Sequence, residues 1–354
     1  MMRRVLWVTF TMALGVIQAD AVPRYAARYE MSCNLCHHNP TGGGQRSLYA
    51  SQYLVPAEMV KNPVPFEELD SIDPQVGKNL IVGADMRTMH QATVKGVPAL
   101  ENFFQMQADV YLTFELDESR SLYVDRGMSE TGEVFGLAYG LPASGYAKVG
   151  RFLPAYGWRF ADHSRFVREK TGLAPPSSTD VGLEVGFHPG RAEAQFSLLN
   201  GASGLIWDND DTYRLGARGA YRFRVGGVGV TTGGSVLYDQ GKKSTLAGPF
   251  GSAHWGRWTW LGEADLSTAD DEVQGLVVTH ELAYQMRTGF DLVGTYDFYD
   301  ADMDRMRGAE RAVGFGIDTL WSPFFHIAAR VRALGPTDDD FDTVETMVQA
   351  HWFY

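Results

Sequence analysis

In the run Cys33-Asn34-Leu35-Cys36-His37, two thiols and an imidazole stand at a spacing that bears directly on chemistry. Thiols at C-x-x-C spacing can add to the two vinyl groups along one porphyrin edge. The histidine that follows can take an axial position on the iron, so the run reads as a covalent haem c site. The chain has only 2 cysteines, and a structural zinc centre generally uses four protein ligands. In an exported protein the same spacing also permits a small Cys33–Cys36 disulfide, and that alternative stays open here. As the proximal ligand, His37 is expected to be a neutral imidazole. For the opposite axial position Met59 is the leading candidate. Met31, His163, Met86, Met89 and His90 are further donors, whereas His38 adjoins His37 and cannot readily reach the other face.

The start of the chain supplies the compartment this chemistry needs. Arg3 and Arg4 form a positive head, residues 5–17 are mostly apolar, and Ala19-Asp20-Ala21 offers a small-residue cleavage site. Residues 1–21 therefore read as a signal peptide, with the mature chain starting at Val22. No later stretch offers the roughly 20 apolar residues of a spanning helix, so any membrane crossing falls to strands.

Composition agrees. Among 354 residues there are 39 glycines, 20 phenylalanines, 16 tyrosines and 8 tryptophans, with a formal net charge of -12. The mean hydropathy is -0.19. A mildly polar chain rich in aromatic residues suits a barrel with an apolar outside and a polar lumen. The acidic balance argues against a nucleic-acid partner, which needs a basic face.

Residues 22–77 form a first unit around the motif, with a glycine run at Gly42-Gly43-Gly44 that lets backbone pass close to a ring system. So short a unit needs a cofactor or a wall to complete its core. From 78 to 354, apolar and polar residues alternate again and again. Phe104, Met106, Ala108, Val110, Leu112 and Phe114 are expected on one face, with Gln105, Gln107, Asp109, Thr113 and Glu115 on the other. Period two is the signature of a strand. Counting such runs predicts an all-β fold, an antiparallel transmembrane barrel of about 16 strands with a small N-terminal haem segment. Seven short turns are predicted near 117–120, 141–145, 188–191, 226–227, 256–257, 287–288 and 322–323. Longer loops are expected between them.

The third long loop, residues 154–178, is expected to fold into the lumen. It carries Arg159, Arg165, Arg168 and Lys170 among Tyr156, Trp158, Phe160 and His163. Arginine forks suit carboxylates such as haem propionates, so Arg159 and Arg165 are candidate cofactor contacts; a pore-lining loop with internal salt bridges is the alternative. The other outer loops are acidic: Asp208, Asp210 and Asp211; Asp270, Asp271 and Glu272; Asp300, Asp302 and Asp304; Asp338, Asp339, Asp340 and Asp342. Such clusters enrich cations such as ferrous iron through their field.

A signal peptide, one C-x-x-C-H at Cys33 to His37 and a barrel of about sixteen strands together resemble the fused monohaem cytochrome-porins of iron-oxidising bacteria. The run Gly150-Arg151-Phe152-Leu153-Pro154-Ala155-Tyr156-Gly157 also resembles the strand-to-loop passage of phosphate-selective porins. The first resemblance implies a Gram-negative outer-membrane protein with one covalent haem c held by Cys33, Cys36 and His37. Electrons would pass between an extracellular metal ion or other redox partner and a periplasmic cytochrome. Its activity would be electron transfer, at most iron oxidation, with no other bond-making. Two rivals remain: a solute (anion) porin with a Cys33–Cys36 disulfide, and a barrel sheathing a separate multihaem cytochrome.

Overall fold

A computed structural model describes residues 22–354 apart from 96–99, 128–131, 175–177, 206, 209, 270–271 and 304–307. The expected signal peptide and Asp270, Asp271 and Asp304 lie outside the described residues. After a two-residue strand β1 (Gln75–Val76) come β2 (Leu80–Lys95), β3 (Glu101–Glu115), β4 (Arg120–Gly127), β5 (Val134–Leu141), β6 (Gly145–Phe152), β7 (Asp180–Phe187), β8 (Ala192–Leu199) and β9 (Arg214–Val225). The circuit continues with β10 (Val228–Asp239), β11 (Ser244–Trp255), β12 (Trp258–Ala269), β13 (Glu272–Arg287), β14 (Phe290–Asp300), β15 (Glu310–Ser322), β16 (Phe325–Pro336) and β17 (Thr343–Phe353). Each strand from β2 onward pairs antiparallel with the next, and β17 pairs with β2. The result is a closed barrel of sixteen strands, whose backbone groups are satisfied without an open edge.

The alternation sets what each face meets. On β15, Val313 and Phe315 are exposed outward while Asp318 is buried; on β17, Val348 and Trp352 face out while Met347, Gln349 and His351 line the lumen. Aromatic residues gather at the short-turn end, where the ring of Trp258 lies against Tyr284 and that of Phe325 against Trp352. An apolar outer band with aromatic girdles is the lipid-facing surface of an outer-membrane barrel, and the chain is a Gram-negative outer-membrane protein of this kind. Among the described residues no helix is long and apolar enough to cross a membrane.

All seven short turns fall within a residue of their expected positions. Two details differ. The outer connection after β10 is also short, residues 240–243. And the β2–β3 register shifts after Arg87. From Gln107 on the faces are as expected, with Gln107, Asp109 and Thr113 buried and Val110 and Phe114 exposed; before it the bulge reverses the phase, so Met106 turns into the lumen, Phe103 is exposed, and Phe104 pairs with the buried Met89.

Two segments fill the bore. The first runs from helix α1 (Pro23–Tyr29) through a 3-10 turn (Cys33–Leu35) and a π-helical stretch (Ala50–Met59) to β1. Arg24 ties it to three wall strands, with Glu281 at 3.0 Å, Asp318 at 2.6 Å and Asp291 at 3.8 Å. The other side is held by His38 against Ser121 at 3.0 Å and by Asn39, which donates to Glu133 at 3.1 Å. The second is the loop between β6 and β7, which folds inward as expected. Its Trp158, Phe160, Phe166 and Val167 form a core with Ala27 of α1 and with Phe250, Leu261 and Val277 of the opposite wall.

Candidate functional site

Local backbone geometry explains how the motif is presented. The amide of His37 donates to the Cys33 carbonyl at 3.0 Å, which closes the turn around the two thiols. Residues 36–38 then pair with 45–47: His38 N donates to Gln45 O at 3.0 Å and Ser47 N to Cys36 O at 3.0 Å, with His37 opposite Arg46. Gly42, Gly43 and Gly44 return the chain at φ of 88°, 79° and 63°, a region that residues with a Cβ enter only at a cost. Space is equally restrictive: a Cβ on Gly44 would lie 2.0 Å from the Tyr123 hydroxyl, and one on Gly43 2.6 Å from the Arg159 guanidinium carbon. The glycine run thus sets a hairpin that puts Cys36, His37 and Arg46 side by side.

This hairpin borders a lumenal cavity of about 200 Å³ that opens into the bore. Cys33, Cys36, His37 and Arg46 all line it. The Cys36 side packs on Met59, Leu54, Leu320 and Phe353 near the short-turn end. Both cysteines are free thiols. Burial pushes both up, Cys36 to about 11, so neither is a thiolate at neutral pH. Burial, helped by Arg46 and Arg159, lowers His37 to about 4. Its ring is therefore neutral at physiological pH, the form that ligates a metal. The carbonyls of Gly44 and Gly43 favour a ring proton, yet Nδ1 of His37 is buried with no completed hydrogen bond. Two free thiols and a neutral imidazole on one shared cavity are the donor set of a covalently held haem.

The other expected site residues are distributed unevenly. Met59, Met31 and Met89 line the cavity. Met86 is 43 % exposed on the outer face, and His90 lies against the exposed ring of Phe103 there. His163 is buried but does not line the cavity. Arg159 reaches the cavity wall while pairing with Glu133 at 3.1 Å and donating to Gly42 O at 2.6 Å. Arg165 lies outside the cavity lining, 2 % exposed, with its Nε 3.0 Å from Asp297. Of the outer acidic clusters, Asp338, Asp339 and Asp340 are exposed while Asp300 is buried. Among the described residues no group of three or more His, Cys, Asp and Glu is arranged to hold a metal ion.

Sequence reasoning missed several lining groups. His326 and His351 face each other across β16 and β17, with ring centroids 5.8 Å apart. Each has an acid beside it, Asp318 at 3.4 Å and Asp85 at 2.9 Å. The inward phase of β17, opposite Trp352, was the available signal for His351. Met106 was hidden by the bulge, and Arg46 by its distance of nine positions from a histidine it meets only in the hairpin.

No protein-family model and no characterised protein sequence matches this chain. Among solved structures, OprB of Pseudomonas putida is similar, with a TM-score of 0.60 at 9% identity over 81% of this chain and 96% of that one. OmpT of Vibrio cholerae gives 0.57 at 11% identity, covering 80% of this chain and 100% of that one. A mutant of the Rh. blastica porin gives 0.52 at 14% identity, covering 78% and 100%. At these identities the likeness is one of fold, and the chain is a porin-like outer-membrane β-barrel.

Proposed function

We propose that this barrel is an outer-membrane cytochrome-porin that conducts electrons between an extracellular donor or acceptor, such as Fe(II), and a periplasmic cytochrome. The observation that carries the reading is the hairpin: Cys33, Cys36 and His37 are held inside the lumen on one cavity. Cys33 and Cys36 would hold a haem as thioethers and His37 would be its proximal ligand; bound there, a haem supplies one-electron redox chemistry. The chain's own part is positional. The wall excludes lipid, Arg24 and Asn39 fasten the segment, and the glycine run fixes the angle between imidazole and thiols. Met59 sits in the same apolar cluster as Cys36, which keeps it the favoured distal ligand. In this reading the short-turn end is periplasmic, and a site near it would lie within reach of a soluble cytochrome.

A second reading, a solute porin with a Cys33–Cys36 disulfide, is favoured by the porin fold of the neighbours. Against it stand the two segments that fill the bore. The filled bore also weighs against a sheath around a separate multihaem cytochrome. The test is haem staining on a denaturing gel with intact mass, for the chain made in a host with c-type maturation and for Cys36→Ser. One added haem, with the covalent stain lost in the variant, is expected. Oxidised cysteines without haem would sink electron conduction and leave solute transport in front.

A further inference from the structure

The lumen is crowded with arginines, and nearly all the partners that can be traced are carboxylates. At the cavity, Arg24 meets Glu281 and Asp318, Arg87 meets Asp85, Arg159 meets Glu133, Arg218 meets Glu193 and Arg330 meets Asp162. Arg46 differs. Among the described residues no carboxylate comes within ion-pair distance of it and no hydrogen bond engages its guanidinium, whose contact is the face of Phe353, 3.7 Å from the ring centroid. Asp85, the acid whose charge acts on Arg46, is already taken by Arg87 at 3.3 Å and His351 at 2.9 Å.

That isolation is costly. A half-buried cation without a counter-charge is unfavourable unless an anion completes it. A ring beneath it fixes the plane of the fork but supplies no charge, since cation–π attraction is electrostatically weaker than a bidentate carboxylate pair. The direction in which the charge is offered is set by the hairpin: Arg46 is bridged to His37 and lines the cavity that Cys33 and Cys36 line. The missing anion therefore belongs to whatever those thiols hold.

We propose that Arg46 binds a carboxylate of the group attached at Cys33 and Cys36, a propionate of the haem, and thereby raises its reduction potential. The inference rests on the cytochrome reading. A fixed positive charge disfavours the extra positive charge of ferric iron, and neutralising a propionate removes an anion that would stabilise it, so both effects act in the same direction. The fork geometry of arginine matters as well as its charge.

The experiment is a redox titration of the full haem-loaded chain in detergent, wild type beside Arg46→Gln and Arg46→Lys, with haem stoichiometry measured in each. Arg46→Gln is expected to shift the one-electron equilibrium about tenfold toward the ferric form, a fall of about 59 mV. Lysine keeps the charge and loses the fork, so its potential is expected to fall between the two. A loaded Gln or Lys variant at the wild-type potential overturns the proposal, and the Lys variant decides alone if the Gln variant fails to assemble. A free anion at Arg46 is distinguished by titrating acetate into the wild type at constant ionic strength: a potential unmoved by acetate is expected, and one that drops overturns the propionate assignment. Absence of haem from the wild type would instead fell the cytochrome reading itself.

Discussion

The hairpin that carries Cys36, His37 and Arg46 and the inward loop between β6 and β7 share one lumen and touch, through the bond from Arg159 to the Gly42 carbonyl. Their polar groups are disposed in opposite ways. In the loop, Arg165 is matched to Asp297, Asp162 to Arg330, and Tyr156 donates to Asp265 at 2.7 Å. Burial alone would raise Asp162, but Arg330, Ser164 and Arg165 hold it below the usual carboxylate range. In the hairpin, the thiols, the Nδ1 of His37 and the guanidinium of Arg46 lack such matches among the described residues. A segment whose charged residues pair with the wall, as Arg165 does with Asp297 and Asp162 with Arg330, is a structural fitting. A segment that faces a cavity with its reactive groups unanswered is arranged to receive something.

The comparison breaks most severely if the loop's docking is cut. Arg165→Ala leaves Asp297 1 % exposed with only the Thr279 hydroxyl at 2.6 Å and the Phe166 amide at 3.4 Å. Removing one member of a buried ion pair costs about 3–5 kcal/mol. A matching drop in unfolding free energy in denaturant is expected, together with raised ion conductance in planar bilayers as the loop leaves the bore. If stability and conductance both stay at wild-type levels, the loop is not held by this pair and the contrast with the hairpin loses its basis.

Smaller effects separate the two regions by backbone alone. Gly44 and Gly172 both have positive φ, 63° and 72°. An added Cβ meets the Tyr123 hydroxyl in the hairpin and open space in the loop. Gly172→Ala is expected to cost about 1 kcal/mol from the dihedral preference, and Gly44→Ala about 1–3 kcal/mol because the hairpin must also shift. Chemical denaturation of both variants measures the difference, and haem stoichiometry should fall for Gly44→Ala alone. Equal costs would mean that the hairpin gives way without consequence for the site.

This contrast was partly legible in the sequence, and the boundary is physical. Alternation along each strand exposed the wall, the turns and the inward loop, because period two is local and lipid enforces it on every strand. The bulge at Met106 was invisible, since one extra residue leaves the hydrophobic pattern of Phe103, Phe104 and Met106 readable in either phase. The basic loop stood out by composition, yet whether Arg165 serves a cofactor or a wall depended on Asp297, which lies 132 positions away. The motif itself was plain, whereas the identity of its neighbours was not: Arg46 stands against Phe353 from the last strand, and no short-range signal couples them.

The mildest test lies at the loop's outer edge. Lys170 contacts Glu310 at 2.9 Å, with the lysine side chain 22 % and the glutamate 48 % exposed. Water screens such a pair, and holding two long side chains in register cancels part of the attraction, so exposed pairs are worth about 0–1 kcal/mol. The faces of Phe166 and Tyr299, 5.1 Å and 5.3 Å from the ammonium, add little at that distance. Lys170→Ala is therefore expected to lower stability by less than about 1 kcal/mol, and high salt should shrink the difference further because the Debye length falls to about 3 Å at 1 M. A loss as large as that of Arg165→Ala, persisting in salt, would show that the loop is clamped from its rim, and docking would then have to be argued from the outer pairs inward.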